Sequence, residues 1–286
     1  MKFSIITPCF NRADLIERAI ISIQNQTHKN FEMIIVDDAS TDDTVRIVEQ
    51  FLNDDRIRLI KCKENGGVNV ARNIGLNNLS ADSDAITFLD SDDEFKLDAL
   101  ENMYLEMERI NNINYFRFGV EYENGKPASR SEHTNKITDY KYYIKNLFTI
   151  GEWVCTFRRK IIDDGFNYSP EVNAFEIISY IELAKKEKMF ISEKVVRIYH
   201  TGHESISNEP ITKAKLANTI NGYNLILKND IKTISANNYG ILNYTLANLY
   251  ILQGEKIKGL KLTLKTLLVK PIDLRVFRNL MNFILK

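Results

Sequence analysis

The sequence predicts an α/β protein: a mostly parallel sheet flanked by helices, followed by a C-terminal α-helical extension. Three observations lead there. Over roughly the first hundred residues, short apolar runs alternate with amphipathic helical segments, the pattern of βαβ units. Two of those runs end in aspartates, VDDASTDDT at 36–44 and FLDSDDEF at 88–95. From Ile211 onward the periodicity is helical.

The elements follow in order. FSIITP is a short β-rich run. ADLIERAIISIQNQ sets Leu15, Ala19, Ile20 and Ile23 at helical spacing. FEMIIVDD is again nearly continuous in apolar residues, as a strand buried on both faces is. TDDTVRIVEQFL is helical, with Val45, Val48 and Leu52 on one face. IRLIKC is a third strand, NVARNIGLNNL a helix and DAITFLD a fourth strand. LDALENMYLEMERI then reads as a helix. NYFRFGVEYENGK alternates like a strand and turns at Asn124-Gly125. EKVVRIYH is a further strand, and NYTLANLYILQGEKIKGLKLTLKTLLVKP has the spacing of a single tetratricopeptide-like helix pair, read as packing rather than as a peptide-binding array.

Composition narrows the function classes. The 286 residues, 44% hydrophobic, suffice for a sizeable core. Lys+Arg and Asp+Glu both number 38, so no overall basic surface invites nucleic acid. Cys9, Cys62 and Cys155 are far apart and form no CxxC, which argues against a disulfide framework or zinc site and fits a reducing cytoplasm. KFSIITPCF lacks the basic-then-apolar leader of a signal peptide, and no apolar stretch is long enough to span a bilayer.

In parallel sheets ligands sit beyond the carboxyl ends of the strands. The residues there are Pro8 to Arg12, Asp37 and Asp38, Asn65 to Gly67, and Asp90 to Asp93 with Ser91 between. In LDSDD, alternate carboxylates can hold a hard divalent cation with positions open to phosphate oxygens; the same residues also serve as helix caps and turn formers. Asp38 can accept from a ring N–H such as that of uracil, or cap the following helix. Phe10 offers a face on which a base can stack, and Asn11 and Arg12 can meet polar or phosphate groups. Gly66 and Gly67 permit close backbone approach ahead of a helix from which Arg72 can reach a diphosphate. GxGxxG and GxxxxGK[ST] are both absent, so neither a dinucleotide fold nor a P-loop is indicated.

Taken in order, SIITPCFNR, QTHKNFEMIIVDDASTDDT, ENGGVNVARNIGL and ITFLDSDDEF resemble the motifs of the family 2 glycosyltransferases with the GT-A fold. The resemblance is dense over residues 1–98, loose to 207, and then fades. It implies a GT-A catalytic domain at 1–210, with a nucleotide-binding half (1–97) and an acceptor-binding half (98–210), and a helical extension at 211–286. It also implies inverting transfer of a sugar, of the hexosyltransferase type, from a nucleotide diphosphate, most often a UDP-sugar, with Mn²⁺ or Mg²⁺. Thr7, Phe10 and Asp38 match base-binding positions, with Phe10 where tyrosine is common; Pro8, Asn11, Arg12, Gly67 and Ser91 lie in the same matched stretches. Arg72 matches a position near the diphosphate, Asp90 one near ribose and metal, and Asp92 the main metal-binding carboxylate.

Inverting transfer needs a general base. The family usually supplies the Asp of an ED pair; here the aligned pair is Glu176-Ile177, so Glu176 is the candidate, with Glu171 and Glu182 as alternatives. IYHTGHESIS resembles a later family stretch in which a His helps bind metal or diphosphate. This makes His203 a candidate metal ligand, and His200 replaces a common Arg. Trp153 suits either acceptor stacking or core packing.

The segment 255–286 carries eight Lys/Arg against Glu255 and Asp273, a net +6, and places Leu274, Phe277, Met281 and Ile284 on one face. It suits an interfacial helix on anionic lipid at the inner membrane face, or a helix docked by its apolar side; the C-terminal helices also offer a homodimer surface. The expected partners are a nucleotide-sugar donor and a glycan or lipid-linked glycan acceptor of bacterial surface polysaccharide, without nucleic acid. The competing readings are a sugar-nucleotide-binding or assembly protein without turnover, which the missing Asp at Ile177 keeps open, and a nucleotidyltransferase, which would want a basic glycine-rich loop where TPCFNRADLIE stands.

Overall fold

In a computed structural model of the chain the described residues are 1–148, 151–202, 212–230, 232–271 and 273–285. They form two compact units, Met1–Tyr140 with Thr149–His203, and Lys141–Phe148 with Glu204–Lys286.

The first unit opens with β1 (Phe3–Cys9), α1 (Ile16–Gln24), β2 (Phe31–Asp37), α2 (Thr44–Glu49), β3 (Ile57–Lys61), α3 (Val68–Leu76) and β4 (Ala85–Phe88). It continues through β5 (Glu94–Phe95), α4 (Ala99–Arg109), β6 (Tyr115–Tyr122) and β7 (Lys136–Thr138), to the start of α5 (Tyr140–Lys145). β8 (Val154–Arg158), α6 (Arg159–Asp163), α7 (Ile177–Lys186) and β9 (Met189–Tyr199) complete it. The strands lie in the order β3-β2-β1-β4-β8-β6-β9-β5, with β7 paired to β9.

β1 pairs in parallel with β2 and β4, and β2 in parallel with β3. Beyond β4 the sheet is mixed. β8 is antiparallel to both β4 and β6, and β6 is parallel to β9. Two antiparallel steps restore the direction, so β6 and β9 run with β1. The end of β9, Arg197 to Tyr199, therefore reaches the same sheet edge as the ends of β1 to β4. Short β5 returns antiparallel along β9, pairing Glu94 with Ile198.

β1 and β2 are buried along their whole length because helices cover both faces. Alternation divides their side chains. Phe3, Ile5, Met33 and Ile35 pack with Ile16, Ala19, Ile20 and Ile23 of α1. Ile34 and Val36 pack with Ala71 of α3. Each such fully buried Phe, Ile, Met or Val side chain contributes about 1.5–3 kcal/mol. Gly75 lets α3 approach closely: a Cβ there would fall 2.5 Å from Cγ2 of Ile6. α2 is shorter than its periodicity suggests; Val48 is buried, but Leu52 lies beyond the helix and is exposed.

The second unit contains α8 (Lys213–Asp230), α9 (Ala236–Gln253), α10 (Lys256–Leu267) and α11 (Arg275–Leu285). Ser235 caps α9 by accepting from the amide of Asn238 at 3.2 Å. Ile220, Leu246 and Tyr250 form a small core with Leu262, joining α8, α9 and α10. The α9–α10 pair matches the helix-pair spacing of the sequence.

Candidate active site

The loops after β1 and β2 are tied together. Asn11 adopts a left-handed conformation (φ 51°), its amide donates to Oγ of Ser40 at 2.9 Å, and its side-chain oxygen accepts from the amide of Thr41 at 2.8 Å. The Arg12 amide donates to Oγ1 of Thr44 at 2.7 Å, and its guanidinium to the carbonyl of Asn11 at 3.0 Å. Asn11 and Arg12 thus brace this wall. They leave Phe10, 41% exposed, as the aromatic face at the end of β1. Pro8 and Thr7 are buried in β1, and Thr7 Oγ1 has no hydrogen-bond partner among the described residues.

Asp38 follows β2 and is 3% exposed. Its carboxylate accepts from the amides of Gly66 at 2.9 Å and Gly67 at 2.7 Å, and its carbonyl from the side chain of Asn65 at 3.1 Å. It therefore caps no part of α2; it pins the glycine turn that starts α3. Each oxygen retains a second lone pair for a ligand N–H. Gly67 has φ 86°, and a Cβ there would fall 2.3 Å from the side chain of Asn173, so the turn requires glycine on both counts.

α3 then organises residues distant in sequence. Asn69 donates to the carbonyl of Val172 at 2.7 Å, and Asn73 exchanges bonds with the backbone of Tyr168, both at 2.8 Å. These amide clasps bring the segment ahead of α7 alongside α3. Arg72, between them, donates to Glu176 and to Asp90, the latter at 2.9 Å, with its guanidinium 5.3 Å from the Tyr168 ring centre. Burial disfavours its charge, yet Glu176 and Asp90 raise the guanidinium well above its usual range.

The second oxygen of Asp90 accepts from Arg197 of β9 at 3.0 Å. Burial pushes the Asp90 carboxyl up, but Arg72 and Arg197 outweigh it and hold the group below the ordinary carboxylate value. Arg197 also lies 3.4 Å from Asp93, which is fully buried and accepts from the amide of His200 at 3.0 Å. Burial pushes Asp93 up to about 7 against the pull of Arg197. The His200 ring is held by Glu123 at 2.7 Å and Glu94 at 3.1 Å.

Arg72, Asp90 and Glu176 thus converge, and the site gains Arg197, which the sequence reading missed, while Asp93, named there only as the end of the aspartate run, is its buried partner. The available signal was an arginine inside the apolar strand run VVRIY, a residue that must find charged partners once buried. Neither Asp38 nor Asp90 acts as a helix cap. Ser91 is buried and Asp92 partly buried on the same turn. Glu182 pairs with Lys185 at 2.7 Å on α7, and Glu171 is exposed. Trp153 is buried at 8%, as core packing requires. His203 lies outside the described residues.

Among the described residues no three His, Cys, Asp or Glu side chains form a cation cage, and Asp90 has committed both oxygens to arginines.

Comparison with known proteins agrees with this architecture. The family model described as glycosyl transferase family 2 matches residues 4–166, more than half of the chain. A Bacillus subtilis glycosyltransferase assigned to teichuronic acid biosynthesis, TuaG, is 38% identical over 145 residues, covering 50% of this chain and 57% of the relative. The Campylobacter jejuni GalNAc(5)-diNAcBac-PP-undecaprenol beta-1,3-glucosyltransferase is 33% identical over 210 residues, covering 69% and 64%. The chain thus spans less than two thirds of either relative's length. Among solved structures, S. aureus TarS 1-349 in complex with UDP-GlcNAc superposes with a TM-score of 0.67 at 18% identity, covering 99% of this chain and 88% of that one. The fold is accordingly GT-A.

Proposed function

The chain belongs to glycosyl transferase family 2, and from that premise we propose that it transfers a sugar from a UDP-sugar to a glycan or lipid-linked glycan acceptor of bacterial surface polysaccharide, with inversion at the anomeric carbon. The observation that carries this reading is the convergence of Arg72, Asp90 and Glu176 at the strand ends, beside Phe10 and the pinned Gly66–Gly67 turn. The names of the two relatives, and the UDP-GlcNAc bound by the structural neighbour, support the donor and acceptor classes.

Phe10 stacks the base and Asp38 accepts its ring N–H. Arg72, held between two carboxylates, exchanges Glu176 for the donor diphosphate. Glu176 then takes the proton of the acceptor hydroxyl as its oxygen bonds to the anomeric carbon and the bond from that carbon to the β-phosphate oxygen breaks, releasing UDP. Asp92 would hold Mn²⁺ or Mg²⁺, which when bound neutralises charge on the departing diphosphate. The need is physical: Arg72 and Arg197 already face Asp90, Asp92 and Glu176, so an incoming diphosphate adds uncompensated negative charge.

Calorimetric titration with UDP, and with GDP and CDP as controls, with and without Mn²⁺, tests the reading on wild type and Asp92→Ala. Binding selective for UDP, strengthened by Mn²⁺ in wild type alone, is expected. A folded protein that binds none of the three nucleotides would sink the proposal. Saturable UDP binding without turnover would favour the sugar-nucleotide-binding protein, to which Ile177 in place of the expected Asp points.

A further inference from the structure

We propose that the outer faces of α10 and α11 form a docking surface for an anionic lipid bilayer. α11 is strongly amphipathic, yet its apolar stripe faces away from the helices it packs on. Leu274, Phe277, Met281, Ile284 and Leu285 are 53–84% exposed and lie within an arc of about 100° at 3.6 residues per turn. The inward side is held by Val276 and by Asn279, which is 1% exposed and donates to the carbonyl of Tyr244 at 2.8 Å and to Oγ1 of Thr263 at 3.1 Å.

α10 repeats the arrangement. Ile257, Leu264 and Leu268 are exposed on one side, while Gly259, Thr263 and Thr266 are buried on the other. Cations border both stripes: Lys261 and Lys265 on α10, Arg278 on α11, all exposed. Residues 255–285 carry seven Lys/Arg against Glu255 and Asp273, a net +5 (7 − 2).

The charge selects the occupant. A second copy seated on this face by a two-fold axis would bring like charges together, whereas an anionic headgroup layer meets the cations while its acyl boundary takes the apolar stripe. Among the described residues no helix is long and apolar enough to cross a membrane, so the contact is interfacial. This inference goes beyond the donor-site reading and does not depend on it.

Co-sedimentation of the full chain with vesicles tests it, using phosphatidylcholine alone and phosphatidylcholine with about one third phosphatidylglycerol. Binding to the anionic vesicles alone, weakening with salt, is expected. Phe277→Ser with Met281→Ser should lower partitioning at least about tenfold. Lys261→Gln with Lys265→Gln should lower it about twenty-five-fold, at roughly five-fold per cation. These side chains are exposed, so thermal melting should stay unchanged. UDP titration of the Phe277/Met281 variant reads the donor site separately. Absence of binding to anionic vesicles, or equal binding by the variants, overturns the proposal. So does a concentration-dependent dimer in sedimentation velocity that Phe277→Ser abolishes, which would assign the face to a second copy.

Discussion

Replacing Asp93 by asparagine isolates the electrostatics of the turn after β4. Asp93 is fully buried, its Oδ2 has no hydrogen-bond donor among the described residues, and the nearest cation is Arg197 at 3.4 Å. Its carboxyl rises from 3.8 to about 7, mainly through burial. A carboxyl raised in the fold binds its proton more tightly folded than unfolded. Stability is therefore full below the unfolded value and falls as pH climbs from about 4 to about 7, because folding must then either hold the proton or bury the charge. At about 1.36 kcal/mol per pH unit the whole window is worth about 4 kcal/mol, of which about 2.5 kcal/mol lies between about pH 5 and about pH 8. The asparagine side-chain oxygen can still accept from the His200 amide, and Arg197 keeps Asp90, so the fold should survive. Urea unfolding followed by circular dichroism at the two pH values should show the wild type losing about 2.5 kcal/mol more than Asp93→Asn. Parallel losses in the two proteins would refute the argument and mean that Arg197 keeps Asp93 ionised throughout.

Three further outcomes follow from the site. Glu176→Gln should leave UDP binding no weaker, since it removes the carboxylate that competes with the diphosphate for Arg72, while lowering turnover by about 10²–10⁴; rate and calorimetry on one preparation separate the two, and an undiminished rate would return the base to Glu171 or Glu182. Arg72→Lys should weaken UDP binding by about tenfold, since an ammonium cannot span Asp90 and Glu176 with a planar fork; equal affinity in titration would count against a diphosphate contact. Gly67→Ala should destabilise by about 1–3 kcal/mol through its positive φ and the clash with Asn173, read as a lower midpoint in thermal melting together with weaker UDP binding.

β1 and β2 were legible because a parallel strand buried on both faces is a nearly continuous apolar run, as in FSIITP and FEMIIVD, and β3 and β4 because their short apolar runs alternate with helical segments. β8 was not: VCTFR is short, runs directly into the RKIID of α6, and owes its strand geometry to the neighbours β4 and β6. The site divides in the same way. Phe10, Asp38, Arg72 and Asp90 each stand in a motif a few residues long, and the Asp38 carboxylate reaches its glycines across a single βαβ unit. The pairing of Arg72 with Glu176 spans 104 residues and that of Arg197 with Asp90 spans 107. Neither leaves a local periodicity: the first depends on the amide clasps of Asn69 and Asn73, the second on the two antiparallel steps that bring β9 to the strand ends.

α11 shows the division at its sharpest. The 3.6-residue repeat of its apolar residues is a property of the chain, and so are its cations; both could be read without any neighbour. Which way the stripe points is not local. The buried Asn279 side-chain NH2 finds its acceptors on Tyr244 and Thr263, which fixes that side inward, and the stripe on the other side is turned to the outside.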